Sequence, residues 1–257
     1  MIWQKILICF IASAGAGIGT GFAGMSAAAI IGPLLSTFLD IPIYEAVGIG
    51  LASDVIASGI SAYNYKKGGN LDVKNSIPLL VTVLVMTIVG SFVASLVPEQ
   101  GMEGAAQISM IIIGLRFLIK PVATHKERTD EQSKKQRIIK SVIGGVFVGF
   151  ICGFIGAGGG MMMLFVLTTF LGYSLHKAVG TSVFIMTFTA LTGGISHFAI
   201  GGFPDAWCLV LCVVFTFIWA QIASKLANKA KDSTLNRIVG WFLIISSIVV
   251  LLVNYVL

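Results

Sequence analysis

The feature that most constrains this chain is a series of apolar runs that recurs from the first residues to the last. A helix of about 20 apolar residues spans the hydrocarbon core of a bilayer. Ten segments, two of them short, lie at 3–22, 25–39, 45–63, 77–97, 104–120, 139–156, 160–172, 177–199, 206–224 and 237–256. Hydrophobic residues make up 56% of the chain and charged residues 11%, which excludes a soluble globular domain. We therefore predict an all-α integral membrane protein of about eight to ten transmembrane or half-membrane helices.

The two halves of the chain are related by an internal repeat. A fixed offset of 132 residues aligns Ala46-Val47-Gly48 with Ala178-Val179-Gly180, and Thr37-Phe38-Leu39 with Thr169-Phe170-Leu171. Five segments per half is an odd number, so the second half should enter the membrane from the opposite side, as an inverted repeat with broken helices at its centre. The predicted organisation is a first membrane repeat at 1–120, a linker at 121–138 and a second membrane repeat at 139–257.

Basic residues give the chain a net charge of +6, and they concentrate in a few short loops and in the linker. In a membrane protein this distribution reports orientation rather than nucleic-acid binding. Ten crossings with the N-terminus outside place the linker in the cytoplasm of a plasma-membrane protein and leave only Lys5 on the unfavoured side. A four-plus-four topology, in which segments 25–39 and 160–172 are re-entrant, fits the charges less well.

A glycine-rich stretch from Gly153 to Gly160 interrupts the second repeat. Each glycine destabilises a helix interior by about 1 kcal/mol relative to alanine, so the helix should break there. The N–H groups at the start of the next helix, aided by its dipole, form an anion site, although membrane glycines also serve close helix packing. The predicted substrate-binding residues of this stretch are Gly156, Ala157, Gly158, Gly159, Gly160 and Met161.

A second motif, Ala178-Val179-Gly180-Thr181-Ser182, opens the next long helix. Thr181 and Ser182 supply hydroxyl donors of the kind that bind a tetrahedral or pyramidal oxyanion. The alternative is that each hydroxyl caps or bonds back to its own helix. We include both residues in the predicted site.

Together with Ser196-His197 and Gly201-Gly202, these motifs resemble the sulfite exporter TauE/SafE family, and the resemblance covers essentially the whole chain. Members of that family are membrane transporters of sulfite, organosulfonates and related anions. The resemblance implies a secondary transporter that moves such an anion by alternating access.

The first copy of the pattern departs from the second. It reads Gly24-Met25-Ser26-Ala27-Ala28 where a glycine run is expected, and Ile49-Gly50 follows Gly48 in place of Thr-Ser. Unequal copies predict an asymmetric site. Residues Gly24, Ser26, Gly48 and Gly50 complete the predicted substrate-binding set.

Two ionisable residues inside apolar segments are candidates for proton coupling, because such groups are costly in a membrane and mark functional positions. Asp54 could carry the proton, unless its carboxyl bonds to a neighbouring hydroxyl such as that of Ser53 or Ser58. His197 could meet the anion or take a proton, unless it is a packed interfacial residue.

Two rival functions use the same fold class. A passive anion channel would share the site but not the proton dependence. A membrane-embedded enzyme would need a nucleophile with a base or a metal-ligand cluster, and His125, His176 and His197 lack ligand spacing. We predict no catalytic residue, metal or cofactor, and the expected partners are a small anion, a coupling proton and the bilayer, with oligomer formation left open.

Overall fold

The computed structural model describes residues 2–94, 102–121, 133–155 and 159–255, and every regular element in these ranges is an α-helix. The ten helices of the described chain are α1 (Ile2–Ala23), α2 (Ala28–Leu39), α3 (Ile43–Lys67), α4 (Val73–Ala94), α5 (Met102–Ile119), α6 (Lys134–Ile155), α7 (Gly159–Thr169), α8 (Leu175–Gly201), α9 (Ala206–Lys229) and α10 (Asp232–Tyr255). Each predicted apolar segment is one helix, so the all-α prediction is confirmed. The predicted linker at 121–138 follows α5 and lies mostly outside the described residues, but its residues 134–138 belong to α6. The repeat boundaries stay a prediction.

Seven of these helices are long and apolar enough to cross a membrane: α1, α3, α4, α6, α8, α9 and α10. The two short apolar helices are α2 with 12 residues and α7 with 11. At 1.5 Å per residue they are about 18 and 17 Å long, roughly half of the hydrocarbon core. The chain is therefore a multi-pass membrane protein that contains two half-length helices.

Helices α3 and α8, which the repeat makes equivalent, pack against each other in opposite directions. Gly48 near the start of α3 lies against His197 near the end of α8. Gly180 near the start of α8 lies against Tyr65 near the end of α3. The offset of 132 residues relates Gly48 to Gly180 and Tyr65 to His197, so each contact is the counterpart of the other.

Helices α1 and α9 run parallel at close distance. The Ser13 hydroxyl donates to the Cys212 carbonyl oxygen at 3.3 Å. A Cβ atom on Gly17 would lie 2.7 Å from the Thr216 carbonyl oxygen, so only glycine allows the two backbones to approach this closely. Helices α4 and α6 repeat this parallel packing, since a Cβ on Gly149 would lie 2.6 Å from the Val83 carbonyl oxygen.

Lys5, the one basic residue that the charge argument left unexplained, has an acidic partner. Its ammonium lies 2.6 Å from a carboxylate oxygen of Asp205, the residue before α9. The same carboxyl group accepts the Cys208 N–H at 3.0 Å and so caps α9. The ion pair offsets the unfavourable placement that the positive-inside rule assigns to Lys5.

Exchanging the two halves of the chain maps the α1–α9 pair onto α6–α4 and the α3–α8 pair onto itself. The directions of these pairs match ten alternating crossings. In the four-plus-four topology α3 and α8 would run parallel, whereas they run antiparallel. The inverted repeat and the cytoplasmic linker remain predictions, and these directions support them.

Candidate functional site

The first break in the chain lies between α1 and α2. Gly24 has φ +62°, a left-handed conformation that favours glycine. The Thr20 hydroxyl accompanies the turn and donates to the Met25 carbonyl oxygen at 2.8 Å. The residue before α2, Ala27, provides no side-chain hydrogen bond to the helix. The Ala29 and Ile30 N–H groups of the first turn instead donate to the Ser26 and Ala27 carbonyl oxygens, both at 3.2 Å.

The second break lies between α6 and α7, and Gly156, Ala157 and Gly158 of this stretch lie outside the described residues. Helix α7 begins with Gly159 and Gly160. A Cβ on Gly160 would overlap both the Gly24 carbonyl oxygen and the Met186 sulfur. The start of α7 thus touches the turn that precedes α2, which brings the two breaks together.

A cavity of about 140 Å³ lies where the two short helices begin. Ala28 at the start of α2 and Gly159 and Gly160 at the start of α7 all line it. Its side-chain polar groups come from Ser26, Asp54, Thr87, Thr189 and His197. Its volume is below the roughly 300 Å³ of pockets that hold drug-sized ligands, so it suits a small solute.

Asp54 carries the carboxyl group of this cavity. The residue is 1% exposed, and within the described structure its Oδ1 atom has no hydrogen-bond partner. The Ser26 side chain and the Ala27 backbone N–H interact with the carboxyl group. A buried, half-satisfied carboxyl group is costly in a folded protein, which marks Asp54 as a functional candidate.

The alternative role for Asp54, a carboxyl group held by neighbouring serines, does not match the hydrogen bonds. The Ser53 hydroxyl donates to the Ile49 carbonyl oxygen at 2.9 Å. The Ser58 hydroxyl donates to the backbone carbonyl oxygen of Asp54 at 2.5 Å, not to its side chain. Both hydroxyls bond within their own helix, and the carboxyl group faces the cavity.

His197 lines the same cavity from α8. Its ring stacks on Tyr44 with 4.2 Å between ring centroids, and its Nδ1 atom lies 3.1 Å from the Tyr44 carbonyl oxygen. Because a carbonyl oxygen only accepts, the hydrogen bond requires a proton on Nδ1. His197 is therefore both oriented by α3 and available to the cavity.

The remaining predicted site residues make other contacts. Thr181 accepts the Asp72 N–H at 3.4 Å, and Ser182 donates to the Val179 carbonyl oxygen at 2.9 Å. Neither is among the residues that line the cavity.

Four further predicted residues have contacts of their own. Gly50 lies against Ala28, Gly48 against Phe198, Gly24 against Ser182, and Met161 is buried. A substrate-binding role for this group, as for Thr181 and Ser182, stays a prediction.

Several cavity residues were not singled out from the sequence. Met186, Thr189 and Gly193 are three of them, and they lie on the same face of α8 as the predicted His197, at intervals of three or four residues. That spacing is a usable signal, since residues so spaced share a helix face. Thr87 of α4 comes from a helix without any motif, and only the packing of α4 against α6 places it there.

The comparison with known families decides the identity of the chain. The family described as "Sulfite exporter TauE/SafE" matches residues 9–250. The chain belongs to this family. The suspected resemblance is confirmed, and a membrane transporter is the function of the family.

Curated relatives carry the same general description. The chain is 26% identical over 212 residues to "Probable membrane transporter protein YdhB" of Bacillus subtilis, covering 82% of this chain and 86% of the relative. It is 25% identical over 263 residues to a "Probable membrane transporter protein" of Haemophilus influenzae, covering 95% of this chain and 97% of the relative. No solved structure matches the chain with significance.

Proposed function

We propose that this protein is a secondary transporter that carries a small anion, sulfite or an organosulfonate, across the plasma membrane by alternating access. The observation that carries the proposal is the meeting of two half-length helices, whose first residues Ala28, Gly159 and Gly160 line one cavity. Half-helix N-termini that point at a central site are the arrangement by which many transporters hold anionic groups.

The chemistry of the cavity supports an anion as the ligand. A helix N-terminus offers backbone N–H donors together with a positive dipole end. Thr87 and Thr189 line the cavity as well, and their hydroxyls, which donate to the Val83 and Met186 carbonyl oxygens in this structure, would have to rotate to bind the anion. Within the bilayer these interactions are strengthened by the low dielectric constant, so fixed donors can replace the hydration of a small oxyanion.

Alternating access is supported by the packing of the two halves. The reciprocal Gly48–His197 and Gly180–Tyr65 contacts support an inverted repeat, an architecture that exchanges access between two sides around a fixed central site. Asp54 is the candidate for the coupling proton, and His197 is a second candidate because it lines the same cavity.

The first test is thermal stabilisation of the purified protein by a panel of small anions, because a ligand that binds only the folded state raises its apparent stability. Sulfite or a small sulfonate should stabilise the wild type. Gly160→Ala should abolish the effect, because the new Cβ would overlap the Gly24 carbonyl oxygen. Gly59→Ala is the matched control, since its Cβ would meet only Thr187 at 3.7 Å. A flat response of the wild type across the panel would contradict the proposal.

A native thiol allows a second test. Cys152 lines the cavity, whereas Cys9, Cys208 and Cys212 are fully buried. A small thiol reagent should modify Cys152 alone, and a bound anion should slow the reaction. Methanesulfonate is the anion to use, because sulfite itself consumes thiol reagents, and equal reaction rates with and without methanesulfonate would remove the cavity from the transport path.

A carrier and a channel differ in counterflow. Liposomes preloaded with unlabelled sulfite should take up labelled sulfite faster than empty ones if the site alternates between the two sides. Equal rates of uptake into preloaded and empty liposomes would favour a passive channel.

A further inference from the structure

The charge that the cavity can neutralise sets a limit on what it carries. Each helix N-terminus is equivalent to roughly half of an elementary positive charge. Two of them, α2 and α7, begin at this cavity. Together they balance about one negative charge, and a second one would remain uncompensated.

One negative charge is already available inside the protein. The carboxyl group of Asp54 interacts with the Ser26 side chain and the Ala27 N–H, and Ala27 is the residue that precedes α2. In its ionised form Asp54 therefore occupies the positive end of α2 as a resident anion. An anion that enters from solution competes with this carboxylate for the same compensation.

The competition is resolved if the carboxyl group takes up a proton. Neutral Asp54 no longer needs the helix dipole, and its hydroxyl becomes a hydrogen-bond donor. The Oδ1 atom is buried and has no hydrogen-bond partner in the described structure, and a rotation of the Asp54 side chain, which belongs to the cavity lining, would turn it toward an entering anion. The empty and the loaded site then each hold a single negative charge.

We propose that the site holds one negative charge at a time, so that a monovalent anion binds only when Asp54 takes up a proton, and the two cross the membrane together as a neutral load. The inference rests on the proposed transport function and names its substrate class by charge. A divalent anion would leave one buried charge without compensation, which is strongly unfavourable.

Size restricts the class further. A cavity of about 140 Å³ has room for roughly five water-sized groups at about 30 Å³ each. Anions as small as hydrogensulfite and methanesulfonate fit such a space.

The other titratable groups that face Asp54 across the cavity are His197 of α8 and Cys152 of α6. Helix α4 contributes Thr87, which does not titrate. A protonated His197 would add a positive charge and admit a dianion, so the anions are compared at about pH 7.5, above the ordinary pKa of histidine, where the ring is neutral.

The experiment compares two ions of nearly the same shape and different charge. Methanesulfonate and sulfate are both tetrahedral and similar in size, but methanesulfonate is monovalent and sulfate divalent. In liposomes that contain the purified protein, methanesulfonate should compete with labelled sulfite at least about tenfold better than sulfate. Uptake of methanesulfonate should not respond to a potassium-diffusion potential, and a pH dye inside the liposomes should report one proton per methanesulfonate, an anion that does not itself titrate near neutral pH.

The variant Asp54→Asn separates the proton from the anion. Its amide is permanently neutral, so binding of methanesulfonate, whose charge is constant, should no longer weaken as pH rises, and any remaining uptake should become sensitive to membrane potential. Asp40→Asn is the matched control: Asp40 is exposed and has φ 53°, a conformation that asparagine tolerates equally well. If Asp54→Asn does not fold, the wild type alone tests the proposal. The comparison of methanesulfonate with sulfate and the response of uptake to membrane potential then give the result.

The outcomes separate the two proposals. Sulfite uptake that moves net charge in the wild type, or sulfate that competes as well as methanesulfonate, would overturn the neutral load and leave the transporter in place. Sulfite that is neither bound nor transported would overturn the proposed function, and the inference with it.

Discussion

The two ends of the α3–α8 pair contain the same contact in two forms. At one end Gly180 packs on Tyr65 and on the Asn70 carbonyl oxygen, and Tyr65 is fully buried. At the other end Gly48 packs on His197, which is only partly buried and lines the cavity. Equivalent positions of the repeat therefore differ in packing. We call the Gly180–Tyr65 contact the sealed end of the pair and the Gly48–His197 contact its open end.

Hydrogen bonds account for the sealed end. The Tyr65 hydroxyl donates to the Gly21 carbonyl oxygen at 3.0 Å. The Asn64 amide donates to Gln221 and to Ser224, both at 2.8 Å, and so ties α3 to α9. At the open end the corresponding residue of α8, Ser196, donates to the Thr192 carbonyl oxygen within its own helix at 3.0 Å. The difference shows that side chains, not backbone geometry, decide which end of a symmetric crossing closes.

The largest expected effect comes from alanine at the two equivalent glycines. In Gly180→Ala the Cβ would overlap the Asn70 carbonyl oxygen, so we expect a loss of about 3 kcal/mol or more in the free energy of unfolding, or failure to fold. In Gly48→Ala the nearest atom is a Phe198 ring carbon at 3.2 Å, and a small shift of the ring should keep the effect below about 1 kcal/mol. Thermal unfolding in detergent measures both, and equal losses would mean that the two ends are packed alike.

An intermediate effect is expected from the two aromatic partners. Tyr65→Phe removes a hydrogen bond from a fully buried hydroxyl, which should lower the free energy of unfolding by about 1 kcal/mol and leave stabilisation by sulfite unchanged. His197→Ala should weaken that stabilisation, because His197 lines the cavity. Denaturation curves with and without sulfite separate the two effects, and a reversed pattern would place the ligand at the sealed end.

The helices, the helix breaks and one cavity residue could be predicted from the sequence, because each depends on a pattern of neighbouring residues. Apolar length fixed the ten helices, and the glycines at 24 and 156–160 indicated where helices stop. Asp54 stood out because a carboxyl group in an apolar run has few explanations. Thr87 and Thr189 could not be assigned in this way, since threonine is common in membrane helices and only the packing decides which face meets a cavity.

The pairing of helices across the two halves was also beyond a sequence argument. The offset of 132 residues revealed the duplication, but it did not indicate that α1 packs along α9 instead of within its own repeat. Lys5 was an exception to the charge rule until its contact with Asp205 across 200 residues supplied the explanation. Contacts at such separations follow from the fold and not from any local pattern.

The smallest expected effect concerns the ion pair near the open end. The hydrogen bond from Lys5 holds the pKa of the Asp205 carboxyl group below its usual value. The stabilisation is therefore present at neutral pH and is lost as pH falls through that lowered pKa.

Asp205→Asn tests this pair while it retains a side-chain oxygen for the Cys208 N–H. Both side chains are about one third exposed, so we expect a loss below about 1 kcal/mol at pH 7. The difference from the wild type should shrink on acidification and at high salt. A difference that persists in strong acid would assign the effect to the cap instead.

The close pairing of α1 with α9 also has a consequence for how the protein is made. The Ser13–Cys212 contact joins residues that are 199 positions apart. At about 5–20 residues per second, translation delivers that partner on the order of 10–40 s after α1 has left the ribosome. During that interval the glycine face of α1 must be covered by lipid or by the insertion machinery. Final assembly of the bundle therefore waits until the ninth helix has been synthesised.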